Sequence, residues 1–148
     1  MSIFSKYAKE WNEATAPAQQ RYLKNGTYLL ELHKVVEGES RRDGTPYAAV
    51  EATVLEVLHG DEESNIPGER ISWVIMMRNK NTFFNALKMF TAAVTNLPFG
   101  DCTLEMYSEL AQGDGTSVGG LEVIADANTI TTQKGNPFLK VIWRASNG

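Results

Sequence analysis

The chain has 148 residues, of which 43% are hydrophobic and 22% charged, with a formal net charge of −4. That is the size and composition of one soluble-type globular domain, large enough to fold without a disulfide or a metal. A lone cysteine, Cys102, excludes an intrachain disulfide, and the negative charge argues against a strongly basic binder of polyanions.

The single cysteine fits a reducing compartment. No apolar run approaches the roughly 20 residues of a membrane span, and residues 1–7 lack the apolar core of a signal peptide. A cytoplasmic protein with no membrane partner is therefore expected. Ile3, Phe4, Tyr7 and Trp11 recur at three- and four-residue spacing, which predicts a short amphipathic helix with Ser2 as its cap. It reads as an arm (residues 1–25) packed on the main domain (26–148), or as a contact for a partner. Residues 14–18 read as its exit linker. Asn25-Gly26-Thr27 matches a glycosylation acceptor but reads as a turn entering a strand.

Residues 26–36 predict a first strand, with Tyr28, Leu30, Leu32 and Val36 on one face, broken by Lys34. A polar loop follows, with Arg41, Arg42, Asp43 and Gly44. Residues 47–58 alternate Ala48, Val50, Ala52 and Val54 against Tyr47, Ala49, Glu51 and Thr53, a long second strand. After the acidic loop with Asp61, Glu62 and Glu63, residues 69–78 predict a third strand through Ile71, Trp73, Val74 and Ile75. The period then changes. Asn79 or Asn81 caps a helix that puts Phe83, Leu87, Phe90 and Val94 on one face. Asp101 is the expected cap of a second short helix carrying Leu104, Tyr107 and Leu110. A glycine-rich stretch, 113–120, reads as a flexible loop. Residues 121–131 and 138–145 predict a closing hairpin.

Five strands with a helix between the third and fourth is the element order of an OB-fold. The expectation is a mainly β, five-stranded, OB-fold-like barrel with a short N-terminal helix.

Catalytic motifs fail on context. Gly115-Thr116-Ser117-Val118-Gly119 matches a nucleophile elbow as a string. That elbow needs a strand before it, a helix after it and a downstream histidine. Here a helix precedes, a strand follows, and both histidines, His33 and His59, lie upstream. The dinucleotide fingerprint fails at Val118, and no P-loop is present. Two histidines and one cysteine show no metal-ligand spacing, and His33 reads as a solvated side chain. No enzyme, cofactor or metal is expected.

The constellation that remains is spatial. In an OB barrel the loops between strands 1 and 2 and between strands 4 and 5 flank the binding face. Here they hold Arg41, Arg42 and Lys134. Nearby strands carry Tyr47, Trp73 and Phe138. Lys140 and Arg144 share an alternation face with Phe138. Cations neutralise phosphates, and aromatic faces stack on bases at about 1–3 kcal/mol each. The plainer reading is that Trp73 and Trp143 fill the interior, the other rings cover a barrel end and the arginines keep a loop soluble.

Several stretches carry a family resemblance: Gly26-Thr27-Tyr28-Leu29-Leu30-Glu31-Leu32, Arg42-Asp43-Gly44-Thr45-Pro46-Tyr47, Pro67-Gly68-Glu69-Arg70-Ile71-Ser72, Asn85-Ala86-Leu87-Lys88 and Thr132-Gln133-Lys134-Gly135-Asn136-Pro137-Phe138. Over roughly residues 20–145 the chain resembles phage-encoded OB-fold single-stranded-DNA-binding proteins. The resemblance implies a replication or recombination accessory of a bacteriophage that coats single strands in the host cytoplasm, with replication or recombination proteins as partners. Many such proteins end in an acidic tail that recruits those partners. Residues 144–148 carry no acid, so recruitment through a tail is not expected. The rival expectation is a non-enzymatic phage structural or host-interaction protein on the same barrel. An exposed strand edge offers a route to a homodimer.

Overall fold

A computed structural model describes residues 3, 5–13 and 21–146. Ser2, Phe4, the linker 14–18 and the side chain of Trp11 lie outside the described residues. A 3-10 turn (Ser5–Tyr7) leads into α1 (Ala8–Glu13), then β1 (Gly26–Glu39), β2 (Pro46–His59) and β3 (Arg70–Met76). Next come α2 (Lys80–Thr95), α3 (Leu104–Ala111), β4 (Glu122–Thr131) and β5 (Pro137–Ala145). The protein is mainly β, and the helix expected between the third and fourth strands is there. All pairings are antiparallel, in one sheet of order β3-β2-β1-β4-β5.

The sheet is not closed into a barrel, which corrects the expectation of closure. Its outermost strands, β3 and β5, are bridged by rings instead. Trp73 of β3 meets Trp143 of β5 at 5.1 Å between centroids, and Phe90 of α2 meets Trp143 at 5.0 Å and Trp73 at 6.4 Å. Part of the free rim of β3 has another occupant. The Ser72 amide donates to the Arg21 carbonyl (2.9 Å), and the Leu23 amide donates to the Ser72 carbonyl (3.1 Å). The backbone groups that a closing strand would need at Ser72 are thus already paired.

Alternation decides the core. Tyr28, Leu30 and Leu32 of β1 are buried with Ala48, Val50, Ala52 and Val54 of β2. The phase of β1 then changes. Leu32 pairs with Ala52 but Lys34 pairs with Glu51, so His33 is an extra residue on the β1 side. A bulge of one residue turns every later side chain to the opposite face. Val35, not the expected Val36, is therefore buried, and Val36 joins Lys34 on the outer face. His33 is half-buried and not simply solvated, with Nε2 2.6 Å from the Thr53 hydroxyl.

Asn79 caps α2, accepting from the Thr82 amide, and the helix ends at Asn96 in the left-handed region (φ 55°). Phe83, Leu87 and Phe90 are buried as the spacing predicts. The cap of α3 is Thr103, which accepts from the Met106 amide, so Asp101 is not the cap. Asp101 instead ends a separate 3-10 turn, Phe99–Asp101.

The glycine-rich stretch is docked rather than free. Val118 is fully buried, and the stretch bonds to β1 through Val35 N–H to Gly115 O (3.0 Å) and Gly120 N–H to Leu32 O (2.9 Å). Gly115 has φ 76°, and a Cβ there would lie 1.9 Å from the Val35 carbonyl oxygen. Glycine serves close approach here, not mobility. Ser117 Oγ donates to the Leu110 carbonyl (3.0 Å) at the end of α3, a structural use of the residue in the elbow-like string.

Candidate nucleic-acid interface

The outer face of β1, β2 and β3 carries an open groove of about 480 Å³. Its position follows from the bulge. Past His33 the outward side chains of β1 are Lys34 and Val36, which lie beside Tyr47, Ala49 and Glu51 of β2 and Ser72, Val74 and Met76 of β3. Tyr22 forms part of the wall, placed there by its bridge to Ser72. An ion pair between Lys34 and Glu51 (3.2 Å) lies among the lining groups. With carbon-rich walls, one exposed ring and few fixed charges, the groove suits a flat, partly polar ligand.

The β1–β2 turn closes one end of this groove. The Ser40 amide donates to the Thr45 carbonyl and the Gly44 amide to the Ser40 carbonyl, both at 2.8 Å, with Gly44 at φ 73°. Arg41 and Arg42 project from this turn and are exposed. Asp43 holds the turn by accepting from the Thr45 amide at 3.0 Å. That bond, then one from the Thr45 hydroxyl, keep its carboxyl below the ordinary value of 3.8, with the Ser40 hydroxyl and the Arg78 charge adding to them. The influence of Arg78 on Asp43 brings a third arginine to this end. Sequence reasoning missed Arg78, as it missed Lys34 and Tyr22. The signal for Arg78 was available: β3 returns antiparallel along β2, Met76 pairs with Tyr47, and Arg78 is two residues on.

A second surface lies on β5. Phe138, Lys140, Ile142 and Arg144 face outward, while Val141 and Trp143 face the core. Their cross-strand neighbours on β4 are Ile130, Asn128, Asp126 and Ile124. Lys134 is exposed in the β4–β5 turn, where the Thr132 amide donates to the Asn136 carbonyl and Gly135 takes φ 82°. Asp126 is already engaged by Thr27 Oγ1 (3.1 Å) and Asn128 Nδ2 (3.2 Å). Among the described residues, Lys134, Lys140 and Arg144 enter no ion pair.

The eight residues expected at the site therefore divide. Arg41, Arg42 and Tyr47 stand at the groove. Lys134, Phe138, Lys140 and Arg144 stand on the β4–β5 hairpin. Trp73 belongs to neither: it is 5% exposed, with Phe90 and Trp143 against it, so it cannot stack on a ligand without opening the core. The pairings put the two hairpin turns at different ends of β1. β4 pairs with the start of β1 (Gly26 with Ala127), whereas the β1–β2 turn leaves its far end (Glu39 with Pro46). These are opposite ends of a 14-residue strand, which would span roughly 45 Å if straight. What links the two surfaces is the ring contact at the seam. Trp73 and Trp143 touch inside, so their outward neighbours Val74 and Arg144 flank the same seam outside.

No family model matches the chain, and no curated protein matches it. Among the described residues no group of His, Cys, Asp and Glu could hold a metal ion, and no helix is long and apolar enough to cross a membrane.

Proposed function

We propose that this protein binds single-stranded DNA, with little sequence preference, on an OB-type sheet whose last seam is left open. The strand order, with β1 shared between β2 and β4, supports an OB-type reading in which only the pairing of β3 with β5 is missing. The observation that carries the functional reading is the outer face itself. It offers a groove with Tyr47 at the arginine-bearing turn, and a β5 stripe in which Phe138 alternates with Lys140 and Arg144. Rings stack on any base, and cations answer phosphates, so such a surface tolerates any sequence. Phage replication or recombination in a bacterial cytoplasm is the setting implied by the sequence resemblance.

Trp73 and Trp143 are buried, so these two rings are poor fluorescence reporters of binding. Anisotropy of end-labelled oligo-dT at low salt tests the proposal. Binding should weaken with salt at a log–log slope of about −2 to −4, for three to five neutralised phosphates on a single strand. No binding at tens of micromolar protein would end it. The second reading, a phage structural or host-interaction protein, draws on a separate observation: an exposed apolar groove between α2 and α3, far more suited to protein than to nucleic acid.

A further inference from the structure

Resting on the single-strand reading above, we infer that the turn end of the sheet groove is a preset seat for one unpaired base, and that Gly38 is the positioning residue that makes it. Strand pairing lays the outer face out in rows. Lys34, Glu51 and Ser72 form one row, Val36, Ala49 and Val74 the next, and Gly38, Tyr47 and Met76 the last, beside the arginine-bearing turn. In that last row β1 contributes no side chain, and the Tyr47 ring occupies the space. A Cβ on Gly38 would lie 2.7 Å from the Tyr47 hydroxyl oxygen, 2.9 Å from Cζ and 3.0 Å from Cε1.

The backbone does not ask for glycine here. Gly38 is not among the residues at positive φ, and a glycine inside a strand gives up side-chain packing and costs conformational entropy. What it gains is a ring laid across it, the way aromatic side chains cover strand glycines in sheets. A ring already held in place has less rotamer freedom to lose when a ligand arrives, which removes one cost of association. Tyr47 lines the groove and is half-buried. The small side chain of Ala49, in the next row, leaves room for a flat ring beside it. Stacking on tyrosine accepts any base. Arg41 and Arg42, exposed in the adjoining turn, supply cations for the neighbouring phosphates.

A double-mutant cycle on the full chain, read by anisotropy of end-labelled oligo-dT, tests this. Gly38→Ala drives a methyl group into the Tyr47 ring and should weaken binding about tenfold, the loss of one stacked base, with a urea midpoint close to that of the wild type. Added to Tyr47→Ala, where no ring is left to displace, Gly38→Ala should change binding by less than about twofold. A general weakening of the strand would instead cost binding equally in both backgrounds. If Gly38→Ala loses its cooperative melt, the wild type is read by NMR: NOEs from the Gly38 Hα protons to the Tyr47 ring should be present in the free protein and persist with oligo-dT. Gly38→Ala binding like the wild type, an equal loss in both backgrounds, or NOEs that are absent or vanish on adding oligo-dT would each overturn the inference and leave single-strand binding in place. A wild type that binds no oligo-dT would overturn both.

Discussion

Two grooves among the described residues lie on different faces and are built from different chemistry. The one on the sheet has an ion pair among its lining groups, two tyrosines on its wall and arginines at its end. The one between α2 and α3 has aliphatic and aromatic walls and a single lysine, Lys88, whose ammonium sits 4.8 Å from the Phe99 ring centroid. The chemistry of the first fits a flat, partly polar ligand, that of the second an apolar side chain. Because strands present alternate residues to opposite faces, one sheet can hold a dry core for the helices and a wet groove for a ligand at once. The comparison teaches that the net charge of −4 says little about either surface.

Breaking what both grooves share has the largest expected effect. Phe90 lies fully buried on α2, against Trp73 and Trp143. Phe90→Ala should lower stability by about 3–5 kcal/mol in urea titrations. Oligo-dT binding should then fall as the fold is lost. An intermediate effect separates the grooves. Tyr47→Ala and Phe138→Ala should each weaken oligo-dT binding by about 1–3 kcal/mol in anisotropy titrations while the urea midpoint stays close to that of the wild type. Loss from Phe138→Ala alone would confine the binding surface to the β5 stripe.

The smallest effect sharpens the sheet groove alone. Asp43 has a lowered pKa, so its hold on the turn is complete above 3.8 and is lost as pH falls through the lowered value. The Thr45 amide signal should therefore shift below about pH 4 in an NMR titration. Asp43→Asn should abolish that titration and leave the α2–α3 signals unmoved.

Much of the fold was legible in the sequence. The alternation in β2, the change of period at Asn79 and the turn glycines Gly44 and Gly135 each have a local physical cause. What was not legible depends on contacts distant in sequence. The bulge at His33 leaves only a polar interruption in an apolar pattern, so Val36 looked like core. A glycine needed for close approach to Val35 reads like a glycine needed for freedom, so the docked stretch looked mobile. Of the site, the Phe138–Lys140–Arg144 stripe follows from period two alone, whereas the Tyr47 groove depends on the bulge. Trp73 shows the limit: alternation says which residues share a face, and only packing says which face is buried. That the two turns leave different ends of β1 was readable in principle, since β2 and β4 both run antiparallel to it and pair with different stretches.

Residues 21–23, which look like the end of a linker, act as a seal. Their bonds to Ser72 occupy backbone positions that would otherwise solicit any extended chain nearby. Asn65 fastens the seal, holding the Tyr22 carbonyl and the Lys24 amide through one buried side chain. Proteolytic trimming past Leu23 would thus do more than shorten the protein: it would leave the Ser72 amide and carbonyl unpaired on an open strand edge.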